Sequence, residues 1–165
     1  MGSVITLDEA IQRRRVCWNA GRRVVFTNGH FDLLHLGHVD YLQRARELGD
    51  ILIVGLNGDA STRQLKGPQR PLVPAKERAL ILAALSCVDL VVIFDAPTAE
   101  ELVRALQPDI YVKGGDWAPA GAGREPPEAA IVHSYGGQVR YIPYLPDHST
   151  TRLIETILER YGRRE

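Results

Sequence analysis

The chain has 165 residues and a mass of 18.3 kDa, which is the usual size of one domain with one hydrophobic core. Its composition, 45% hydrophobic and 24% charged, excludes a mostly disordered chain. Because 20 Lys and Arg residues balance 20 Asp and Glu residues, no global basic field attracts nucleic acid. Any anion that binds must therefore be held locally.

The cysteines and the first twenty residues predict the compartment. Cys17 and Cys87 are too few for a disulfide framework and have no zinc-site spacing, so we expect a reducing, cytoplasmic setting. Charged residues interrupt residues 1–20, and no apolar run has the length of a membrane span. We therefore expect no export and no membrane insertion.

Apolar, β-branched runs alternate with helical patterns along the chain. A helix over residues 7–19 comes first and is expected to form an N-terminal appendage (residues 1–22), with the Arg run at 13–15 on a solvated face. Strands are predicted at 23–27, 51–56, 90–94, 110–112 and 138–142, and further helices at 37–48, 74–86, 99–106, 127–135 and from Ser149 onward. This alternation predicts an α/β fold, a Rossmann-like, doubly wound, five-stranded parallel sheet in a single domain.

The segment after the first strand, residues 27–38 (TNGHFDLLHLGH), contains the most functional side chains. In an open α/β sheet, ligands bind beyond the carboxyl ends of the strands. The segment is neither a GxGxxG nor a Walker sequence. His35 and His38 lie three residues apart where a helix begins, and Gly37 between them lets an anion approach the backbone. The pattern favours phosphate binding, with imidazole donors for a phosphoryl transition state, over two purely structural histidines.

A metal site is the other interpretation of this segment. His30, Asp32, His35 and His38 are all ligand types, but their spacing matches no zinc signature. We expect no metal held by the protein alone. A Mg²⁺ ion carried by nucleotide phosphates and touched by Asp32 is the favoured alternative.

Several other polar residues lie near predicted strand or helix ends. Lys66 falls in a Gly- and Pro-flanked loop that could close over phosphates, or it is an exposed loop lysine. Lys113 ends a strand and is expected to point into the cleft. Arg78 follows Glu77 on a helix and either forms an ion pair on the helix surface or has the role that the resemblance described below implies. Ser149 and Thr150 either meet phosphate or simply cap the last helix.

Residues 28–38 resemble the HxGH signature of the cytidylyltransferase-like nucleotidyltransferases. Within that superfamily, residues 112–116 (VKGGD) and 149–151 (STT) resemble the D-glycero-β-D-manno-heptose 1-phosphate adenylyltransferases, which make ADP-heptose for lipopolysaccharide. Residues 55–61 and 65–71 continue the likeness, which extends from residue 23 to residue 158. The resemblance implies that residues 23–165 form a nucleotidyltransferase domain.

The resemblance also implies a reaction and a set of roles. An oxygen of a sugar 1-phosphate attacks the α-phosphate of ATP, and pyrophosphate leaves with Mg²⁺. Because relatives often form dimers, the resemblance also implies a homodimer. The expected catalytic residues are His35, His38 and Lys66. The expected nucleotide-binding residues are Thr27, Asn28, Gly29, His30, Phe31, Gly37, Arg78, Ser149 and Thr150. The expected sugar-phosphate residues are Asp32, Asn57, Lys113, Gly115 and Asp116.

The sequence departs from the heptose family near the substrate pockets. His30 stands where relatives often have Cys or Thr, Trp117 where they commonly have Tyr, and the loop at 118–123 is longer and rich in Pro, Ala and Gly. Residues 144–148 lack the arginine that cytidylyltransferases carry before the final Ser-Thr pair, which favours adenine over cytosine. The alternatives are a CTP-dependent enzyme acting on a polyol or amino-alcohol phosphate, and a nucleotide-binding sensor without turnover.

Overall fold

The computed structural model describes residues 1–115, 117 and 124–162. Within them, six parallel strands form one sheet in the order β1-β4-β3-β2-β5-β6. The strands are β1 Ser3–Val4, β2 Val24–Gly29, β3 Ile51–Asn57, β4 Leu90–Phe94, β5 Ile110–Gly114 and β6 Gln138–Ile142. The helices are α1 Leu7–Asn19, α2 Leu36–Arg46, α3 Asp59–Lys66, α4 Ala75–Ala84, α5 Glu100–Leu106, α6 Glu128–Ser134 and α7 Thr150–Tyr161.

The central strand, β2, explains both the core and the position of the cleft. Alternate β2 side chains enter different cores: Val25 packs on the α2 and α4 side, and Phe26 packs on the α1 and α5 side. Burial on both faces accounts for the continuous apolar runs in these strands. The chain leaves β2 toward β3 and later returns to β5 on its other side. This reversal opens a crevice at the carboxyl ends of β2 and β5, where ligands bind in such sheets.

The α/β class and most elements are confirmed, with ends within two residues of those predicted. The predicted count of five strands was wrong by one edge strand. Ser3 and Val4 form β1, which pairs with Leu90 and Val91 of β4. Two residues are too few to show a strand pattern in sequence.

Helix α3 was also missed, which changes the environment of Lys66. Lys66 is the last residue of α3, and Gly67, with φ of +101°, ends the helix, so the loop placement of Lys66 was wrong. Helix α3 is short and polar, and its N-cap Gly58 makes no side-chain cap. Its signals are Asp59 in the first turn and Lys66 and Gly67 at its end, without an apolar stripe between them. None of the described helices is long and apolar enough to cross a bilayer.

The N-terminal helix packs onto the sheet through its buried side chains. Thr6 and Glu9 form a capping box at its start, and Ala10 and Cys17 lie in the core. The solvated face predicted for the Arg run was wrong at Arg14, which is 7% exposed. Its guanidinium donates to the carbonyls of Leu106 and Gln107 and pairs with Asp109 at 3.1 Å. Arg14 therefore ties α1 to the end of α5.

We expect Arg14→Met to lower the free energy of unfolding by about 1–3 kcal/mol, because it leaves buried carbonyls without their donor. Urea denaturation measures the loss. Arg13→Met and Arg15→Met are matched controls, since both side chains are exposed on the same helix and are expected to change stability by less than about 0.5 kcal/mol. Equal effects at positions 13, 14 and 15 contradict this role of Arg14.

Candidate active site

The turn from β2 into α2 exposes a helix N-terminus at the crevice. Phe31 and Leu33 have positive φ values of 45° and 48°, which non-glycine residues seldom adopt. His35 is the N-cap of α2, yet its side chain makes no capping hydrogen bond. Backbone N–H groups of the first turn therefore lack a side-chain cap, which suits an anion.

His35 and His38 lie against one another at this helix start. Their ring centroids are 3.8 Å apart with a 24° interplanar angle, and the Phe31 ring lies 5.3 Å from that of His38. In the described structure Nδ1 of each histidine is buried and unpaired. Neither Nε2 bonds to a described residue, so Nε2 is the nitrogen that a ligand can reach. The three-residue spacing thus gives the paired rings that the sequence predicts.

Both histidines are neutral near pH 7. Burial lowers the pKa of His38 to about 4, with a smaller contribution from His35. Burial also lowers the pKa of His35, and His148 adds to that effect. The pair therefore offers N–H donors without carrying charge.

Gly37 is required by the ring stack. A Cβ added at Gly37 would lie 3.0 Å from Cε1 and Nδ1 of His35 and 3.0 Å from Cβ of His148. Any side chain there would displace the His35 ring. The sequence indicated Gly37 as an opening for phosphate, and the structure adds that it leaves room for His35.

The Asp32 carboxylate is bonded to the scaffold. It accepts from Arg70 Nε at 2.8 Å and from the backbone N–H groups of Leu72 and Val73 at 2.9 and 3.0 Å. Burial favours a higher pKa for Asp32, but these donors together lower it. The carboxylate is 1% exposed and holds the 67–74 loop, and its contact with Mg²⁺ or sugar phosphate stays a prediction.

Arg78 and Asn57 bond to the scaffold, and their ligand contacts stay predictions. Arg78 is 1% exposed and donates to the carbonyls of Val73, His30 and Asn57 and to the carboxylate of Asp59. It is therefore not a helix-surface ion pair. Asn57 is buried, and its Nδ2 donates to Ser61 Oγ at 3.3 Å.

Thr27 is likewise committed to the scaffold. Its buried hydroxyl contacts Tyr41 Oη at 2.7 Å and donates to the Val112 carbonyl at 3.0 Å. It therefore joins β2 to α2 and β5 instead of presenting its side chain to a nucleotide. Gly29 is packed against the Phe31 ring, which would lie 3.0 Å from an added Cβ.

Lys113 lies at the end of β5, as expected. Its Nζ donates to Asn28 Oδ1 at 3.0 Å, and the same oxygen accepts from Tyr111 Oη at 2.7 Å. The Lys113 Nζ also lies 5.5 Å from the centroid of the Trp117 ring. Burial lowers the pKa of Lys113. Asn28 and Lys113 thus form one polar cluster across the β2 and β5 ends.

The last helix contacts the same region. Ser149 is its N-cap and accepts from the Arg152 N–H at 3.1 Å, so the capping alternative holds for Ser149. Thr150 Oγ1 donates to the Asp32 carbonyl at 2.8 Å. Gly115 follows β5 and lies near the Tyr144 backbone. Asp116 and the 118–123 loop lie outside the described residues.

The sequence interpretation missed Arg70, Thr62 and Tyr41. Arg70 pairs with Asp32, Thr62 contacts His30, and Tyr41 contacts Thr27. Each contact joins residues at least 14 positions apart, so no local spacing indicates it. The Gly and Pro residues that flank Arg70 indicate a loop, but the sequence interpretation used that loop only to place Lys66.

A family model described as cytidylyltransferase-like matches residues 26–155. The chain belongs to the cytidylyltransferase-like family. It is 57% identical over 152 residues to the bifunctional protein HldE of Syntrophotalea carbinolica and 58% identical over 143 residues to that of Pelobacter propionicus. These alignments cover 92% and 86% of the chain but 29% and 28% of the relatives. The chain thus spans less than a third of the length of these curated relatives.

Solved structures agree with the fold. The lipopolysaccharide core biosynthesis protein from Thermoplasma volcanium superposes with a TM-score of 0.62 and 26% identity, covering 76% of this chain and 98% of its own. The pantoate-beta-alanine ligase from Francisella tularensis superposes with a TM-score of 0.59 over 100% of this chain and 80% of its own. At 11% identity, the ligase supports the fold alone.

The pKa of His38 predicts a pH-dependent stability. The pKa of the His38 side chain is about 6.5 in the unfolded chain and about 4 in the folded protein. The free energy of unfolding should therefore decrease as pH falls from about 6.5 to 4, by up to about 1.4 kcal/mol per pH unit from this group. Urea denaturation at several pH values measures the slope. His30 and His35 also have lowered pKa values, so we expect His38→Gln to reduce the slope by the share of His38. An unchanged slope in His38→Gln contradicts the assignment.

Proposed function

We propose that this chain transfers AMP from ATP to a sugar 1-phosphate, most specifically heptose 1-phosphate, releasing pyrophosphate and forming ADP-heptose. The observation that carries the proposal is the stacked, neutral His35–His38 pair at the uncapped start of α2, in the crevice between β2 and β5. Family membership supports nucleotidyl transfer. The name of the Thermoplasma structure and the likeness of residues 112–116 to heptose enzymes support a lipopolysaccharide sugar.

The proposed reaction needs no covalent enzyme intermediate. An oxygen of the sugar phosphate bonds to the α-phosphorus of ATP while the bond to the pyrophosphate oxygen breaks, and that oxygen keeps the electron pair. His35 and His38 donate hydrogen bonds to the α-phosphate oxygens as negative charge grows there. Uncapped N–H groups at the start of α2 act on the same charge. Buried neutral rings change little on going to the transition state, so their geometry is set beforehand.

The positions of the remaining lysines and hydroxyls suggest which part of the substrates each one binds. Lys113, between Asn28 and Trp117, would bind the sugar phosphate. Lys66 precedes the 67–74 loop and would reach the triphosphate from the end of α3. Thr150 would bring the N-terminus of α7 to the nucleotide phosphates. Mg²⁺ would enter with ATP, held by the nucleotide phosphates, since the Asp32 carboxylate is occupied by protein donors.

The choice of adenine over cytosine rests on residues 144–148, which precede the N-cap Ser149 without an arginine. The family description names cytidylyl transfer, so the CTP-dependent enzyme is the alternative. A pocket that pairs its polar groups with one base leaves them unpaired with the other. Use of ATP also fits the cytoplasmic setting that the two free cysteines suggest. The homodimer stays a prediction, and sedimentation velocity can measure the oligomeric state.

A panel of ATP and CTP against heptose, glycerol and amino-alcohol phosphates tests the proposal, with pyrophosphate release as readout. We expect ATP with heptose 1-phosphate to exceed CTP by at least roughly tenfold in kcat/KM, about 1.4 kcal/mol. A CTP preference overturns the adenylyl assignment and supports the cytidylyl alternative. Saturable nucleotide binding without pyrophosphate release from any pair supports a sensor.

Substitution of the paired histidines tests the mechanism. We expect His35→Ala and His38→Ala each to lower kcat by at least about two orders of magnitude, the effect of losing a preorganised donor, with a much smaller change in ATP affinity. Single-turnover kinetics and calorimetry separate the two quantities. The exposed His133→Ala is the control. Near-wild-type turnover in both variants rejects the role.

A further inference from the structure

A third histidine, His30, follows β2 at the crevice and has a specific partner. Its Nδ1 lies 3.0 Å from Thr62 Oγ1 on α3. Thr62 is 0% exposed, so this hydroxyl has no access to water. No described residue hydrogen-bonds to the other ring nitrogen, Nε2, which is also absent from the buried unpaired atoms. His30 thus has one nitrogen anchored in the protein and one left for a ligand.

The Thr62 contact favours one tautomer of His30. The hydroxyl proton can be donated to His30 Nδ1 at 3.0 Å or to the Asn57 carbonyl at 3.5 Å. The contact with the Asn57 carbonyl is a poor hydrogen bond at 3.5 Å. Donation to Nδ1 is therefore favoured. Neutral imidazole then carries its proton on Nε2, which makes the free nitrogen a donor.

The charges around His30 indicate which kind of ligand its Nε2–H donor binds. Burial lowers the pKa of His30 to about 4, and Lys66, Arg78, Lys113 and Arg70 each lower it further. Four cations from four different segments thus lie near one neutral ring. Arg70 and Arg78 are paired with Asp32 and Asp59, whereas Lys66 forms no ion pair within the described structure. A positive region with a neutral donor at its centre suits a polyanion.

We propose that His30 is a third imidazole donor, whose Nε2–H binds the pyrophosphate that leaves ATP. Thr62 is the positioning residue that fixes the tautomer of His30. This inference rests on the proposed nucleotidyl transfer. As the bond between the α-phosphorus and the bridging oxygen breaks, the electron pair goes to the pyrophosphate, whose charge rises. His30 donates a hydrogen bond to that charge and transfers no proton.

Position separates His30 from the His35–His38 pair. The charges that act on His38 are those of His35 and Asp32, whereas those acting on His30 are the lysines and arginines. The pair lies at the uncapped start of α2, where we place the reacting phosphorus. His30 is anchored on α3, which ends at Lys66, and we place the leaving group there. Being neutral, His30 adds a directed donor without adding repulsion among the four cations.

Two near-isosteric variants separate donor from packing effects. The Gln side chain places an N–H near the position of imidazole Nε2, whereas Asn reaches only the position of Nδ1. We expect His30→Asn to lower kcat by about 10–100-fold with less than about a threefold change in KM for ATP, and His30→Gln to stay within about fivefold of wild type. Equal losses in both variants, or no loss in His30→Asn, overturn the donor role.

Thr62→Val tests the positioning role, with Ser61→Ala as a matched control. Ser61 is also buried on α3, but its hydroxyl accepts from Asn57 Nδ2 and donates to the Gly58 carbonyl, and it does not contact His30. We expect Thr62→Val to lower kcat several-fold in wild type and to have no further effect in His30→Asn. Additive losses of the two substitutions mean that Thr62 acts independently of His30 and overturn the positioning role.

Two readouts do not depend on sugar-phosphate turnover. ¹⁵N NMR of the His30 ring should show Nδ1 unprotonated and Nε2 protonated, with a tautomer mixture in Thr62→Val; a proton on Nδ1 in wild type overturns the proposal. Calorimetry with inorganic pyrophosphate should show weaker binding to His30→Asn than to His30→Gln, and equal binding also overturns it. If no sugar phosphate yields pyrophosphate, the proposed function fails while these two measurements still decide the role of His30.

Discussion

The candidate site depends on the Asp32 carboxylate. It accepts from Arg70 and from two backbone N–H groups of the 67–74 loop, and the Asp32 carbonyl accepts from Thr150 at the start of α7. One residue thus joins three segments that are distant in sequence. A buried carboxylate that loses its partners costs about 3–5 kcal/mol, so the loop is held strongly in this position. The position of Lys66, at the base of that loop, follows from this arrangement.

Arg78 performs the complementary task for the strand ends. Its guanidinium donates to the carbonyl of His30, just after β2, and to that of Asn57, the last residue of β3, and Asp59 balances its charge. Buried carbonyls need donors, and a fixed fork of N–H groups can serve several at once. Arg70 and Arg78 are paired with carboxylates, whereas Lys66 and Lys113 form no ion pair within the described residues. These two lysines therefore supply positive charge to the crevice in a chain with zero net charge.

The sequence was sufficient for five of the six described strands and for most of the described helices. Long apolar strands and helices with caps are determined by local pattern, so α1 was predicted at its observed bounds. β1 and α3 were missed because neither buries an apolar stripe of its own. The scaffold contacts of Asp32, Asn57 and Arg78 were missed for a different reason. Polar residues at strand ends bind a ligand or the scaffold, and their scaffold partners lie up to 48 positions away, which spacing does not show.

The three site histidines show how one buried environment yields two kinds of donor. His35 and His38 keep Nδ1 buried without a partner, which costs about 1–3 kcal/mol for each unpaired group, whereas His30 has its Nδ1 paired with Thr62. Unsatisfied groups in a native fold are concentrated where function overrides stability. In the nucleotidyl transfer proposed above, the Nε2 atoms of the stacked pair donate to the reacting phosphate, and the contact with Thr62 holds His30 beforehand. Burial lowers the pKa of all three rings. Under that proposal the crevice collects cations around a phosphate chain while the histidines add no charge at the reacting phosphorus.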